Sequence, residues 1–246
     1  RGPIVYCLEW PDNDGRVRNL ILPPATALEA DFQPQLLNGV TTITGTGYNL
    51  IADDQKQITH APAKFTAIPY YTWANRGRGE MEVWIPTSDQ AGHVRRPPTL
   101  SSSSKITLSH PGNDLGAIND QLAPNNDSSK NNGFFGGQDE PFFHWWPRKG
   151  TAEWVQYEFS KPAKVSSAAV YWFDDTGRGE CRVPANWQVL YRVAGQWQPV
   201  STTNSYGVKP NQFNHINFAP VQTDALRLQV QLQEKWSTGI YEWQVE

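Results

Sequence analysis

Strict alternation of apolar and polar residues in short runs is the feature that most constrains how this chain folds. The clearest run is residues 226–233, which reads Leu-Arg-Leu-Gln-Val-Gln-Leu-Gln. A period of two places the leucines and the valine on the buried face of a β-strand and leaves the polar residues on a wet face. No segment shows a long apolar period of 3.6 residues. The chain is therefore predicted to be all-β.

Composition and charge agree with this class and exclude others. Aromatic residues make up 12% of the 246 residues, and 19 glycines and 19 prolines suit many turns between short strands. The formal net charge is −3, so no basic surface for nucleic acid or an anionic membrane is expected. No apolar run approaches the ~20 residues that a membrane-spanning helix needs. We therefore expect no nucleic-acid partner and no membrane association.

Turn residues and composition divide the chain into two predicted β-sandwich domains joined by a linker. The first domain is residues 1–87, the linker is 88–105 and the second domain is 106–246. The linker prediction depends on the proline and serine clusters at 95–98 and 101–104. Predicted strands are 4–9, 18–22, 28–32, 41–46, 64–73 and 80–85 in the first domain, and 154–159, 165–173, 186–192, 196–199, 214–218, 225–233 and 239–245 in the second.

Residues 67–86 are predicted to form a β-hairpin. Aromatic and β-branched residues run up to Ala74, and residues 80–85 alternate as a half-buried strand does. Between them, residues 75–79 read Asn-Arg-Gly-Arg-Gly, which tolerates positive φ.

Few residues of this chain favour enzyme chemistry. The two cysteines, Cys7 and Cys181, are predicted to be buried or half-buried free thiols, because a disulfide scaffold would have more of them. The five histidines are scattered without metal-ligand spacing. Asp174 and Asp175 could be a catalytic carboxylate pair, but adjacent residues rarely flank one bond, so a turn is the simpler role.

Aromatic residues near loops are candidates for carbohydrate binding, since sugars stack on aromatic faces and bond to planar polar groups. The segments 142–148 and 172–182 supply both kinds of residue. The alternative is that these tryptophans fill the core, as Trp154, Trp172 and Trp187 are expected to do within strand patterns. The candidate carbohydrate-binding residues are Trp145, Trp146, Arg148, Arg178 and Trp236.

The second domain resembles the galactose-binding-like, or discoidin-type, jelly roll in residues 117–120, 145–146, 153–159 and 239–245. That resemblance implies a structural Ca²⁺ held by Asp120 and Glu242, with Asn119 and Asn126 as further candidate ligands. Calcium prefers six to eight hard oxygen ligands, which an Asn/Asp-rich loop offers. In the alternative interpretation, Asp120 and Asn126 cap turns and Glu242 pairs with an arginine.

Residues 1–9 and 67–86 resemble the C-terminal region of glycoside hydrolase family 127, the β-L-arabinofuranosidase family. Residues 172–184 resemble an extra C-terminal domain of its bacterial members. The resemblance implies a catalytic (α/α)₆ barrel upstream, with a zinc-bound cysteine nucleophile, and a periplasmic or extracellular location. The helical barrel and its cysteine cluster are absent from this sequence, so the nucleophile role is not carried over to Cys7, and zinc is expected only in that absent domain.

Two functions are therefore considered. In the first, the chain is a non-catalytic C-terminal fragment of such a hydrolase that supports the absent barrel and binds a plant-type glycan. In the second, it is a purely structural or interdomain contact module without glycan binding. The chain enters its first predicted strand within three residues of Arg1, which favours a cut within a longer polypeptide.

Overall fold

The structure is a computed structural model, and it describes residues 2–53, 55, 57–77, 79–124 and 140–246. The chain divides into two compact units, Arg1–Pro97 and Pro98–Glu246. Both units consist of antiparallel strands with a few short 3₁₀ turns, at Trp10–Asp12, Tyr70–Thr72, Asp89–Ala91 and Leu115–Ile118. The all-β prediction is confirmed.

Six strands of the first unit form one antiparallel sheet in the order β2-β4-β5-β1-β6, with β3 also paired to β4. Leu8, Val17, Leu20, Phe65 and Ala67 pack together as a buried cluster beside this sheet. The strands are β1 (Tyr6–Glu9), β2 (Leu20–Ile21), β3 (Leu28–Gln33), β4 (Val40–Ala52), β5 (Ile58–Pro69) and β6 (Met81–Glu82).

The hairpin predicted for residues 67–86 is wrong, because β1 lies between its two strands. Leu8 pairs with Ala67 of β5 on one side and with Glu82 of β6 on the other. Strand β5 ends at Pro69, and only Met81–Glu82 of the second predicted strand is extended and paired. The glycine-rich turn is real, since Gly77 has a φ of 103°.

A buried ion cluster holds this turn against β1. Arg76 donates from Nε to Glu9 Oε2 at 3.1 Å and from Nη1 to Asp12 Oδ1 at 2.7 Å, and its Nη2 contacts both carboxylates. The Glu9 side chain is only 2% exposed, and its Oε1 also accepts a hydrogen bond from the Ala74 amide. The backbone bond of Ala74 and the ion pairs of Arg76 therefore hold residues 74–76 against the end of β1.

Seven strands of the second unit follow the order β11-β10-β12-β9-β13-β8, with β7 also paired to β9. The two longest, β9 and β12, pair along most of their length, with register shifts between Asn217 and Val221 and between Thr223 and Ala225. The strands are β7 (Lys105–Leu108), β8 (Phe143–His144), β9 (Ala152–Phe173), β10 (Asn186–Val193), β11 (Gln196–Pro199), β12 (Phe213–Gln231) and β13 (Gly239–Val245).

The long strands contribute to two layers around one core. Val155 and Tyr157 from the first half of β9 pack in the same buried cluster as Val170 and Trp172 from its second half. A single strand can present both halves to one core only if it passes from one layer to the other, so the register shifts mark where the layers meet. The alternation predicted at 226–233 is confirmed, since Leu226, Leu228 and Val230 are fully buried.

Both ends of the segment predicted as a linker are bonded to a unit. The Arg95 amide donates to Leu50 O at 2.9 Å in the first unit. Ser101, in the second unit, is 1% exposed and accepts the Val245 amide at 2.8 Å. Within the described residues, no helix is long and apolar enough to cross a lipid bilayer.

Both cysteines are free and buried, as predicted. Burial raises the pKa of Cys7 to about 11 and that of Cys181 to about 12. Both thiols therefore stay protonated at neutral pH and are poor nucleophiles.

Candidate functional site

Three segments of the second unit meet through backbone hydrogen bonds and bring the candidate residues together. The Trp145 amide donates to Thr238 O at 3.1 Å, which joins the segment after β8 to the segment before β13. The Ser237 amide donates to Glu180 O and the Arg182 amide donates to Ser237 O, both at 2.9 Å. Segments 145–149, 174–184 and 236–238 therefore form one loop cluster.

Trp146 is the exposed aromatic residue of this cluster. Its side chain is 51% exposed, and its indole Nε1 donates to Glu180 Oε2 at 2.9 Å. Lys149 Nζ donates to the other oxygen of the same carboxylate at 2.8 Å. The bonds from Lys149 and Trp146 hold the pKa of Glu180 below its usual range, so the carboxylate is charged at neutral pH and orients the indole.

Trp236 lies beside Arg182 in the same cluster. The Arg182 guanidinium carbon is 4.1 Å from the centre of the Trp236 ring, which is a cation–π contact. Arg182 Nη1 also donates to Cys181 O at 2.6 Å and to Gly179 O at 3.1 Å, so one arginine anchors both the loop and the indole. One face of the half-buried Trp236 is therefore covered by protein.

The acidic pair of the loop has a structural role in this conformation. Asp174 Oδ1 accepts the Thr176 amide at 2.9 Å, and Asp175 Oδ1 accepts the Cys181 amide at 2.8 Å. A Cβ at Gly179 would lie 2.1 Å from Asp175 Oδ2, so this turn requires glycine there. Both carboxylates thus act as turn acceptors, the simpler of the two roles considered.

The prediction that Trp145 contacts sugar is wrong for this conformation. Its side chain is fully buried in the core cluster, with its ring edge-on to Phe143 at 5.0 Å between centroids. A ring with no exposed face cannot stack on a sugar. Adjacent tryptophans thus have opposite environments, since Trp145 faces the core and Trp146 faces solvent.

The two arginines predicted to bind carbohydrate lie at the margins of the loop cluster. Arg148 Nε donates at 3.0 Å to Glu153 Oε1, a buried carboxylate that also accepts the Ser109 and Thr151 hydroxyls. Arg178 is exposed, with its amide bonded to Asp175 O at 2.8 Å. Arg148 is thus committed to a structural contact, whereas Arg178 presents its side chain from the loop.

Sequence reasoning missed Lys149, Glu180 and Arg182 as members of the cluster. Glu180 and Arg182 lie within the segment 172–182 whose composition suggested sugar binding. The spacing of Trp146 and Glu180 in sequence gives no sign of their contact, because the contact depends on the backbone bonds of Ser237.

The two predicted calcium ligands lie close to each other. The Gln121 amide donates to Glu242 Oε2 at 3.0 Å, and the Leu122 amide donates to Asp120 Oδ1 at 2.8 Å. Glu242 is 1% exposed, and both carboxylates help burial to raise the pKa of Tyr157. Asn119 donates to Ser101 O at 2.7 Å, and Asn126 lies outside the described residues.

Side chains alone do not assemble a metal centre here. In the part of the chain that the structure describes, no group of three or more His, Cys, Asp or Glu residues is placed to hold a metal ion. Any calcium at Asp120 and Glu242 would therefore need main-chain carbonyls and water as its other ligands.

Comparison with known proteins finds relatives of the first unit. Residues 1–86 match the glycoside hydrolase family 127 C-terminal domain. A non-reducing end β-L-arabinofuranosidase of Bifidobacterium longum is 38% identical over 96 residues, covering 34% of this chain and 15% of that protein. The structure of Ara127N-Se, a GH127 β-L-arabinofuranosidase from Geobacillus stearothermophilus T6, is 42% identical over 39% of this chain and 15% of its own, with a TM-score of 0.32.

A further similar structure comes from BgaA, a β-galactosidase of Streptococcus pneumoniae. It is 21% identical, covers 61% of this chain and 94% of its own, and has a TM-score of 0.47. The present chain spans only 15% of the length of the curated arabinofuranosidase that it matches.

These findings define an all-β accessory region related to glycoside hydrolases. Within this region, residues 1–86 are similar to the C-terminal domain of glycoside hydrolase family 127.

Proposed function

We propose that this chain is the non-catalytic C-terminal part of a β-L-arabinofuranosidase-like hydrolase, and that its second unit binds a plant-type glycan at the loop cluster. The observation that carries the binding proposal is Trp146, a half-exposed indole oriented by Glu180. An exposed ring held in a fixed orientation can stack on a sugar face at little entropic cost. Glu180 and Lys149 supply polar groups beside it, and Arg178 supplies another from the same loop cluster.

The proposed role of the first unit is to support the catalytic domain of the same polypeptide. Tyr71 is 70% exposed and Trp84 is 87% exposed, and the Tyr70 and Trp73 rings stack at 5.9 Å beside the exposed Val5. The Tyr70 amide donates to Val5 O at 2.9 Å, which holds Tyr70 beside Val5. Exposed apolar surface of this kind favours contact with another protein surface.

The proposal of a non-catalytic chain predicts that it releases no arabinose from a β-L-arabinofuranosyl substrate. Both of its thiols are buried and protonated at neutral pH, and the carboxylates of the loop cluster are engaged with backbone amides, Lys149 or Trp146. Arabinose release above a no-enzyme blank would contradict this role.

The binding proposal is tested on an array of plant glycans with the 246-residue chain and Trp146→Ala. We expect specific binding that is lost in Trp146→Ala and kept in Lys161→Gln, a change at an exposed residue of β9. The alternative, a purely contact-forming module, predicts no bound glycan for any variant. The exposed aromatic surface of the first unit is the observation that favours this alternative.

We propose in addition that Asp120 and Glu242, with main-chain carbonyls, hold a structural Ca²⁺. The proposal is supported by the Gln121 amide, which donates to Glu242 Oε2 at 3.0 Å and so brings the buried Glu242 carboxylate beside the loop that carries Asp120. A cation would offset the mutual repulsion of the two carboxylates in that buried setting.

Calcium is expected to raise the melting temperature of the second unit over that in EDTA. A ligand at 100 times its Kd adds about 2.7 kcal/mol to the free energy of unfolding. Glu242→Gln should remove the difference between calcium and EDTA, and scanning calorimetry measures both. A melting temperature indifferent to calcium and chelator would contradict the proposed site.

A further inference from the structure

The outer face of the second unit's β10, β12 and β9 carries a group of residues separate from the loop cluster. The inward residues of 226–230 are buried, so Arg227 and Gln229 point to the opposite face of the sheet. Strand register places Gln229 opposite Gln188 on β10 and Trp154 on β9, and Arg227 opposite Gln156. We call this surface the sheet-face platform; its members are Trp154, Gln156, Gln188, Trp197, Arg227 and Gln229.

Arg227 is held between two indoles at the centre of the platform. Its guanidinium carbon is 4.3 Å from the Trp154 ring centre and 4.2 Å from the Trp197 ring centre. The three residues come from β9, β11 and β12, so the sheet itself fixes their spacing. The two ring contacts orient the plane of the guanidinium. Its N–H groups are then the donors with which it can form further hydrogen bonds.

The charge of Arg227 has no carboxylate partner among the residues that the structure describes. Its Nη2 donates to the Gln156 amide oxygen at 2.9 Å, and its buried Nε has no acceptor there. The nearby acids are engaged elsewhere, since Asp224 accepts from Arg192 Nε at 2.9 Å and Glu158 lies 3.8 Å from Arg192 Nη1. Burial and the neighbouring Arg192 both lower the pKa of Arg227.

A half-buried guanidinium without a carboxylate partner among the described residues is a site where an incoming anion gains free energy. A carboxylate can accept two parallel hydrogen bonds from one guanidinium edge, and partial burial strengthens such bonds. The ligand indicated by the charge is therefore a carboxylate.

The amide groups and aromatic rings around Arg227 indicate which class of ligand bears that carboxylate. Gln188 Nε2 donates to Gln229 Oε1 at 2.9 Å, and this amide pair lies in register with Trp154. Amide groups offer donors and acceptors side by side, as sugar hydroxyls require, and indoles offer faces for sugar C–H groups. An acidic peptide would match several cations, whereas the platform offers one cation among amides and rings.

We propose that the sheet-face platform binds an acidic glycan, with a uronic acid carboxylate on Arg227 and neighbouring sugar rings on Trp154, Trp197 and the glutamine amides. This site does not depend on the loop cluster. The platform includes polar residues of the alternating segment 226–233. The proposed function gives these polar residues no role.

The test is affinity electrophoresis of the 246-residue chain in gels containing polygalacturonate, with neutral arabinan gels for comparison. We expect retardation in polygalacturonate that becomes at least tenfold weaker in Arg227→Gln, which removes the charge and keeps an amide. Lys161→Gln removes one positive charge from an exposed position of β9 and should bind as the unchanged chain does.

Two outcomes would overturn the proposal. One is the absence of retardation of the unchanged chain by polygalacturonate, and the other is equal retardation of Arg227→Gln and Lys161→Gln. If Arg227→Gln fails to fold by circular dichroism, Trp197→Ala replaces it, because Trp197 lies on the short strand β11 outside the buried core. Folded Trp197→Ala with undiminished retardation would then overturn the proposal. Loop-cluster binding is scored separately, with neutral glycans and Trp146→Ala.

Discussion

Replacing Arg76 with alanine is expected to lower the free energy of unfolding of the first unit by about 3–5 kcal/mol. The guanidinium is bonded to Glu9 and Asp12, and the Glu9 side chain is only 2% exposed. Removing the arginine leaves a carboxylate in a site that water scarcely reaches. The loss is larger than a surface ion pair could cause, because the remaining charge lacks both its partner and its solvent.

Scanning calorimetry of the whole chain measures this loss as a shift of the transition assigned to the first unit. Arg16→Ala is the matched control, since Arg16 pairs with Glu80 at 3.1 Å but has a 39% exposed side chain. It should cost at most about 1 kcal/mol. The double variant Arg76→Met with Glu9→Gln should recover part of the loss, because the most deeply buried carboxylate of the cluster is then replaced by an uncharged amide. Equal effects of Arg76→Ala and Arg16→Ala would contradict the importance of the cluster.

Replacing Trp145 with alanine is expected to cost the second unit about 3–5 kcal/mol of unfolding free energy. The ring is fully buried and packs edge-on against Phe143 within the core cluster. Its removal loses the transfer free energy of the indole and leaves a cavity in a closely packed interior. The sandwich core cannot collapse fully into that space, because β8 and β13 are fixed by pairing.

Trp146→Ala is the matched control, because it makes the same chemical change one residue away. Its ring is 51% exposed, so the expected cost is about 1 kcal/mol or less, mostly from the lost bond to Glu180. Urea unfolding followed by fluorescence and circular dichroism compares the two variants. Similar losses of stability would contradict the assignment of Trp145 to the core and Trp146 to the surface.

Local sequence pattern predicts the segments that form β9 to β13 of the second unit, but it misses β7 and β8 and divides β9 and β12 into two strands each. The alternation at 226–233 predicted that Leu226 and Leu228 are buried, and both are. It also predicted a wet face for Arg227, although it could not show that Trp154 and Trp197 enclose this arginine. That contact depends on the order of β9, β12, β10 and β11, which is a non-local property.

The pairing of β5 and β6 could not be predicted for the same reason. Residues 67–86 have every local feature of a hairpin, yet β1 from the start of the unit occupies the position between them. The insertion is stabilised by Glu9 and Arg76, which are 67 residues apart in the sequence. Turn chemistry indicates that the chain bends, and long-range pairing decides which strand lies beside it.

The candidate site was predictable in its residue types and not in its geometry. The segments 142–148 and 172–182 were both chosen for their aromatic and charged residues, and the structure places them in one cluster with Trp236. Sequence alone gave Trp145 and Trp146 the same prediction, because both lie near a loop. Their exposure differs because, directly after β8, the Trp145 side chain lies in the core and the Trp146 side chain lies at the surface.

Isothermal titration of the 246-residue chain with its best neutral glycan from the array most directly tests the central claim, that an exposed, oriented tryptophan makes this chain a carbohydrate-binding accessory. We expect saturable heat for the unchanged chain and for Lys161→Gln, and binding at least tenfold weaker for Trp146→Ala, which should remain folded. Equal Kd values for Trp146→Ala and the unchanged chain would contradict the claim.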